Sequence, residues 1–165
     1  MDNKLQDIEL LFIAANDAFS QGDVASAASR FSEITEKYPA DSRGWSGMAE
    51  IYFTKIGDIQ KSEAFFKKAI ETTNTSAKTY LLFSDLLLQL NRFAEMNAIV
   101  NQAMEIEGVS KSAGHIKSGL LKESQGKYDE AIEDYRASIL ASFDADEINM
   151  SEKAILRCQI KKKYS

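Results

Sequence analysis

The chain has 165 residues, 44% hydrophobic and 27% charged, which suits one compact domain or a short array of repeats and excludes wholesale disorder. Its net charge of −5 counts against duplex nucleic acid as the main ligand, because phosphate binding needs a basic face. The single cysteine, Cys158, forms no internal disulfide, and the single histidine, His115, builds no zinc site with it alone.

Average usage would place about eight prolines in a chain of this length. Only Pro39 is present, which argues for long helices joined by tight turns. The start, Met1-Asp2-Asn3-Lys4, is no positively charged lead-in, and the apolar run from Leu10 to Ala15 ends at once in Asn16 and Asp17. Neither reads as a secretory signal. The greasiest stretch, Leu81 to Leu90, contains Asp85 and falls far short of the ~20 residues of a membrane span. The sequons at Asn74 and Asn149 are read as chance matches, and a cytoplasmic location is expected.

In chain order, Ile8, Leu11, Ala15 and Ala18 mark the apolar side of a first helix, which runs to Gly22. Gly22, Gly57, Asn91 and Gly126 follow one another at separations of 35, 34 and 35 residues, each between two helix-like stretches. A chain leaving a helix often turns through the left-handed region, which glycine adopts without penalty and asparagine better than most. Two residues after each anchor stand Val24, Ile59, Phe93 and Tyr128, and five after stand Ala27, Ser62, Met96 and Ala131. Nine after are Phe31, Phe66, Val100 and Tyr135; twelve after are Ile34, Ala69, Ala103 and Ser138. Offsets of five, nine and twelve share one helical face, which predicts a buried stripe on the second helix of each unit. Tyr80, Phe83 and Leu87 repeat the first-helix pattern in the third unit.

With Gly22-Asp23, Ala27, Phe31 and Pro39, then Trp45, Met48-Ala49 and Tyr52, then Asn91-Arg92-Phe93-Ala94-Glu95, and finally Gly126-Lys127-Tyr128-Asp129-Glu130-Ala131 and Tyr135, the sequence resembles the tetratricopeptide repeat. The resemblance implies an all-α fold: a right-handed superhelix of antiparallel helix pairs, about nine helices in one domain. Repeats are expected near 8–41, 42–76, 77–109 and 110–144, with a capping helix near 147–163. The second and fourth copies each carry one extra residue outside the second helix. Asn74 and Gly108 stand where the family has proline, and His115 takes a bulky aromatic position.

The capping helix is predicted to turn Ile148, Ala154, Ile155, Cys158 and Ile160 inward. Lys153, Arg157, Lys161, Lys162 and Lys163 make it basic in an acidic protein. That charge serves solubility and the helix dipole, or else docks an acidic partner or a membrane surface. No Gly-rich phosphate loop or metal-ligand cluster is found, and no cofactor is expected. Gly44-Trp45-Ser46-Gly47 has its second glycine one residue early for a nucleophile elbow and falls inside a predicted helix. The expectation is a protein that is not an enzyme, with Cys158 buried and unreactive.

The resemblance further implies that the first helix of each repeat lines a concave groove. Its candidate peptide-binding residues are Phe12, Asn16 and Phe19 in the first copy and Arg43, Glu50 and Phe53 in the second. The third adds Lys78, Leu81, Leu82, Asp85 and Leu88, and the fourth Ile116 and Leu120. Ser46, Gly47, Lys117 and Glu123 fall at further groove positions. Asn16, Glu50, Asp85 and Leu120 form a ladder suited to a peptide backbone or a basic side chain, amid apolar surface large enough to mark an interaction site. Of the five positions that clamp the acidic tails of heat-shock chaperones, only Asn16 and Lys78 fit, so that partner is not expected. The first reading is a non-catalytic scaffold or adaptor taking an apolar peptide or helix, with basic side chains one ligand for Glu50 and Asp85. A second is a bacterial secretion chaperone of the type III class II kind, holding apolar segments of exported proteins. Self-assembly of the chain is the third.

Overall fold

The computed structural model describes residues 2–165. Nine α-helices follow one another among the described residues, with no strand: α1 (Asp2–Ser20), α2 (Val24–Lys37), α3 (Ser42–Ile51), α4 (Ile59–Ile70), α5 (Ala77–Gln89), α6 (Phe93–Met104), α7 (Lys111–Ser124), α8 (Tyr128–Ala141) and α9 (Ala145–Lys163). They fall into two compact units, the first ending at Leu86 inside α5 and the second running from Leu87 to Ser165.

All four anchors turn as their residue types predict. Gly22, Gly57 and Gly126 have φ of 81°, 78° and 75°, and Asn91 follows at 56°. After Gly22, Asn91 and Gly126 the next amide donates back to the carbonyl five residues earlier, at 2.9 Å in each case (Asp23 to Ala18, Arg92 to Leu87, Lys127 to Lys122). Those bonds satisfy carbonyls that a helix end leaves orphaned. Gly57 differs because α3 runs on into a π-helical turn, Tyr52–Ile56, and the Gly57 amide itself bonds the Tyr52 carbonyl at 2.9 Å. The extra residue of the second repeat is absorbed in this wider turn.

In the first unit, Asp23 and Asp58 follow their anchors and cap α2 and α4, accepting the amides of Ser26 and Lys61 at 3.0 Å each. The core gathers Ile8, Ala15, Ala27, Phe31, Ile34, Met48 and Ile51. Phe66 stacks on Phe83 at 5.3 Å and receives the edge of Phe53 at 6.4 Å. The predicted stripe is buried throughout: Ala27, Ile34, Ser62, Phe66 and Ala69 at 0% exposure, and Phe31 at 3%. Gly44 and Gly47 bring α3 close to α2, where a side chain at Gly47 would be driven into the Phe31 ring.

The second unit repeats the arrangement. Met96, Val100, Ala103, Ala131, Tyr135 and Ser138 are all buried. Met96, in a slot usually filled by alanine, fits through its unbranched, adaptable side chain. A Cβ on Gly119 would meet the Tyr135 ring at 2.7 Å, and one on Gly114 would strike Met104. Helix α9 turns Ser151, Ala154 and Cys158 onto α8, with Ser151 and Ser138 hydrogen-bonded at 2.7 Å. Ile160 does not join this face as predicted. It is 52% exposed, since it lies on the side of α9 opposite Cys158.

Asn91 offers a direct test of the turn. A left-handed conformation costs an ordinary L-residue roughly 1–2 kcal/mol. Asn91→Ala should lower unfolding stability by about 1 kcal/mol in chemical denaturation, while Asn91→Gly should match wild type or exceed it.

Candidate functional site

Three first helices of the first unit, α1, α3 and α5, supply the groove positions that meet at one cavity of about 340 Å3. Of the predicted residues it gathers Phe12, Asn16, Arg43, Glu50, Lys78 and Leu82, with Ser46 and Gly47. Phe31, from the second helix of the first repeat, reaches the cavity because Gly47 has no side chain to cover it. It remains a core residue, 3% exposed, as its place in the stripe predicts. Asn74, at the former proline slot, also lines the cavity. Its side-chain oxygen accepts the Ser42 amide at 2.9 Å, and its carbonyl accepts the Ser42 hydroxyl at 3.0 Å. Proline there would forfeit the first of these bonds.

The rim is charged but internally paired. Arg43 lies 5.3 Å over the Phe12 ring and donates to Glu9 at 2.7 Å and to Asp41 at 2.9 and 3.0 Å. Burial alone would raise the Asp41 carboxyl, but the Arg43 hydrogen bonds outweigh it and hold it below the usual carboxylate range. Lys78 donates to both Glu50 oxygens, at 3.0 and 2.8 Å. Glu50 was expected to offer a free carboxylate to a basic partner; it already holds a lysine. Asp85 is not free either. Asn16 donates its amide to the Phe12 carbonyl at 2.9 Å, and Ser46 accepts from Thr79 at 2.9 Å.

The remaining groove candidates lie elsewhere. Phe19 carries Lys55 over its ring at 5.1 Å, and Phe53 packs edge-on against Phe66. Leu81, Asp85 and Leu88 are half-buried outside the cavity lining. Ile116 is only 7% exposed, and Leu120 packs on the core of Ala131, Ile132, Tyr135, Ala154 and Cys158. Each apolar member of the expected patch is half-buried or buried here, so the patch is only partly open at these positions.

Glu123, expected on the groove wall, is buried under α9 in the second unit. It accepts Arg157 Nε and Nη2 at 2.6 Å each, Lys161 Nζ at 2.9 Å and the Tyr135 hydroxyl at 2.9 Å. Burial alone would raise its carboxyl, but these hydrogen bonds prevail and hold it at about 2. The Tyr135 phenol moves up, first by burial and then by its bond to Glu123, and the Arg157 guanidinium is raised chiefly by the same carboxylate. Lys162 is likewise engaged, by Asp129 at 2.6 and 2.7 Å. Much of the positive charge of α9 thus serves to dock the helix. Burial pushes the Cys158 thiol up to about 11, so it stays protonated near neutral pH. Ser46 sits in the helical interior of α3, without the strained turn a nucleophile elbow needs.

Among the described residues, no helix is long and apolar enough to cross a membrane, and no group of three or more acidic, histidine or cysteine side chains is placed to hold a metal ion. Models of the tetratricopeptide repeat match residues 14–77 and 114–144, together more than half of the chain. The chain belongs to the tetratricopeptide repeat (TPR) family. No curated protein sequence matches it. Solved structures of the same fold include PilW, a widely conserved type IV pilus biogenesis factor, with 21% identity and a TM-score of 0.81 over 94% of this chain and 70% of that one. A thermophilic TPR protein of Thermus thermophilus shares 20% identity, with a TM-score of 0.76 over 94% of this chain and 84% of its own. MamA shares 18%, with a TM-score of 0.73 over 94% and 82%. At these identities the likeness is one of fold, an array of TPR helix pairs whose general use is protein interaction.

The Glu123 network makes the stability of this TPR chain pH-dependent in a defined direction. Its folded carboxyl titrates near 2, against about 4.5 for an unperturbed glutamate. Its contribution is therefore complete above the unfolded value and is lost as pH falls from about 4.5 towards 2. Glu123→Gln should cost about 2 kcal/mol at neutral pH. In urea titrations across that acid window, the variant should lose less stability than wild type.

Proposed function

We propose that this TPR chain is a non-catalytic scaffold or adaptor that takes an apolar peptide segment or helix of another protein into the cavity of its first unit. One observation carries the reading: groove positions from three successive first helices converge on a single cavity with an apolar floor. Phe12 and Leu82 provide apolar surface with the buried Phe31 behind it, while Asn16 and Ser46 place polar atoms beside it. Removal of a partner's apolar side chain from water, at roughly 25 cal/mol per Å2, supplies the affinity. Charge contributes orientation more than strength. A basic group must displace Lys78 from Glu50, and an acidic one must compete with Asp41 and Glu9 for Arg43.

Selection from a random displayed-peptide library against the full chain should return sequences sharing a large apolar residue. Asn16→Trp changes an exposed helix position at the cavity lining and fills the mouth with an indole. It should weaken a selected peptide about tenfold or more, close to 1.4 kcal/mol, without moving Tm. Peptides that bind this variant as tightly as wild type would place the site elsewhere and sink the reading.

A further inference from the structure

The large hydrophobic residues that do face solvent concentrate on the first and last helices and the turn before α9. Leu5, Leu10 and Ile13 on α1 are 64%, 61% and 49% exposed; Met150, Leu156 and Ile160 on α9 are 49%, 57% and 52%. Solenoids usually end in a polar outer face, because an apolar one recruits further protein. The register of α1 sharpens the point. Once the π-turn residue is allowed for, Leu10 holds the position of Gly44 in α3 and Gly114 in α7, which press on the preceding second helix. In α1 that position carries a large side chain and shows it to water.

The charges framing the two faces are opposite. On α1, Leu10 and Ile13 lie between Glu9 and Asp17; on α9, Leu156 and Ile160 lie between Lys153 and Lys163. Glu9 holds Arg43 yet keeps 56% of its side chain exposed, and Asp17 enters no ion pair among the described residues. While Arg157, Lys161 and Lys162 are engaged within their own unit, Lys153 has no such ion pair. Glu152 sits at the edge of the α9 face and leaves it net positive. We propose that the outer face of α1 in one copy packs against the outer face of α9 in a second copy, a head-to-tail contact with apolar centre and acid–base rim. Pairing α1 with α1 would oppose acids, and α9 with α9 would oppose lysines, so a contact that sets either face against its own copy is disfavoured. A heterologous contact of this kind uses two different patches, and each copy keeps one of each. The inference is independent of the cavity.

Sedimentation of the full chain tests it with two charge-reversing variants at exposed positions. Ile13→Arg sets a cation against the lysines of α9, and Ile160→Glu sets an anion against the acids of α1. Wild type should gain mass with concentration. Each variant alone should lose self-association about tenfold or more, with unchanged helicity and Tm. Mixed in equal amounts they should recover a one-to-one complex, because each contributes one intact face. Leu10→Arg and Leu156→Glu should reproduce the result. A wild type that stays monomeric at every concentration, a single variant that associates as wild type does, or a mixture that stays monomeric would overturn the inference.

Discussion

How closely one helix can approach the next governs this protein, because a helix pair with one apolar side cannot bury that side alone. In the first unit the approach of α3 to α2 is set by Gly44 and Gly47, which leave room for Thr35 and the Phe31 ring. In the second, Gly114 and Gly119 leave room for Met104 and Tyr135. Each is a helix-interior glycine, unfavourable there by roughly 0.5–1 kcal/mol relative to alanine. The packing it permits outweighs that cost, since a fully buried phenylalanine contributes about 1.5–3 kcal/mol. The same absence of a side chain at Gly47 lets the buried Phe31 border the cavity, so helix packing and the candidate site share one cause.

Charge is arranged by a second rule: groups drawn out of water are paired within their own unit. Glu123 survives burial because an arginine fork, a lysine and a phenol surround it. Arg43 and Asp41 bind each other at the cavity rim in the same way. The consequence for recognition is restrictive. A partner meeting the cavity finds apolar surface and engaged charges, so the ladder of free carboxylates expected at Glu50 and Asp85 is not on offer. The charges left to solvent, such as Asp17 and Lys153, frame exposed apolar residues on α1 and α9.

Much of the fold was legible because its signals are local. A left-handed turn is a property of one residue and its neighbours, and Gly22, Gly57, Asn91 and Gly126 all take it. Even the substitution of asparagine for glycine obeyed the same steric rule. The stripes five, nine and twelve residues past the anchors were legible too, since helical period alone puts them on one face. Ile160 was misplaced against that same period: two residues past the buried Cys158 it stands about 200° round the helix, on the outer side.

Repeat length, helix pairing and the buried face of each second helix follow from the sequence by itself, through backbone preference and periodicity. The single proline and the extra residue before Gly57 belong to the same local grammar, one at a repeat junction and one in a π-helical turn. Only the tertiary structure decided which first-helix positions stay accessible. Whether Phe12 shares a cavity with Leu82 while Ile116 vanishes into the core depends on what each neighbouring helix brings against it. Whether Glu50 or Glu123 is free depends on a cation 28 or 34 residues away. Those are contacts between distant segments, and no periodicity within one segment encodes them.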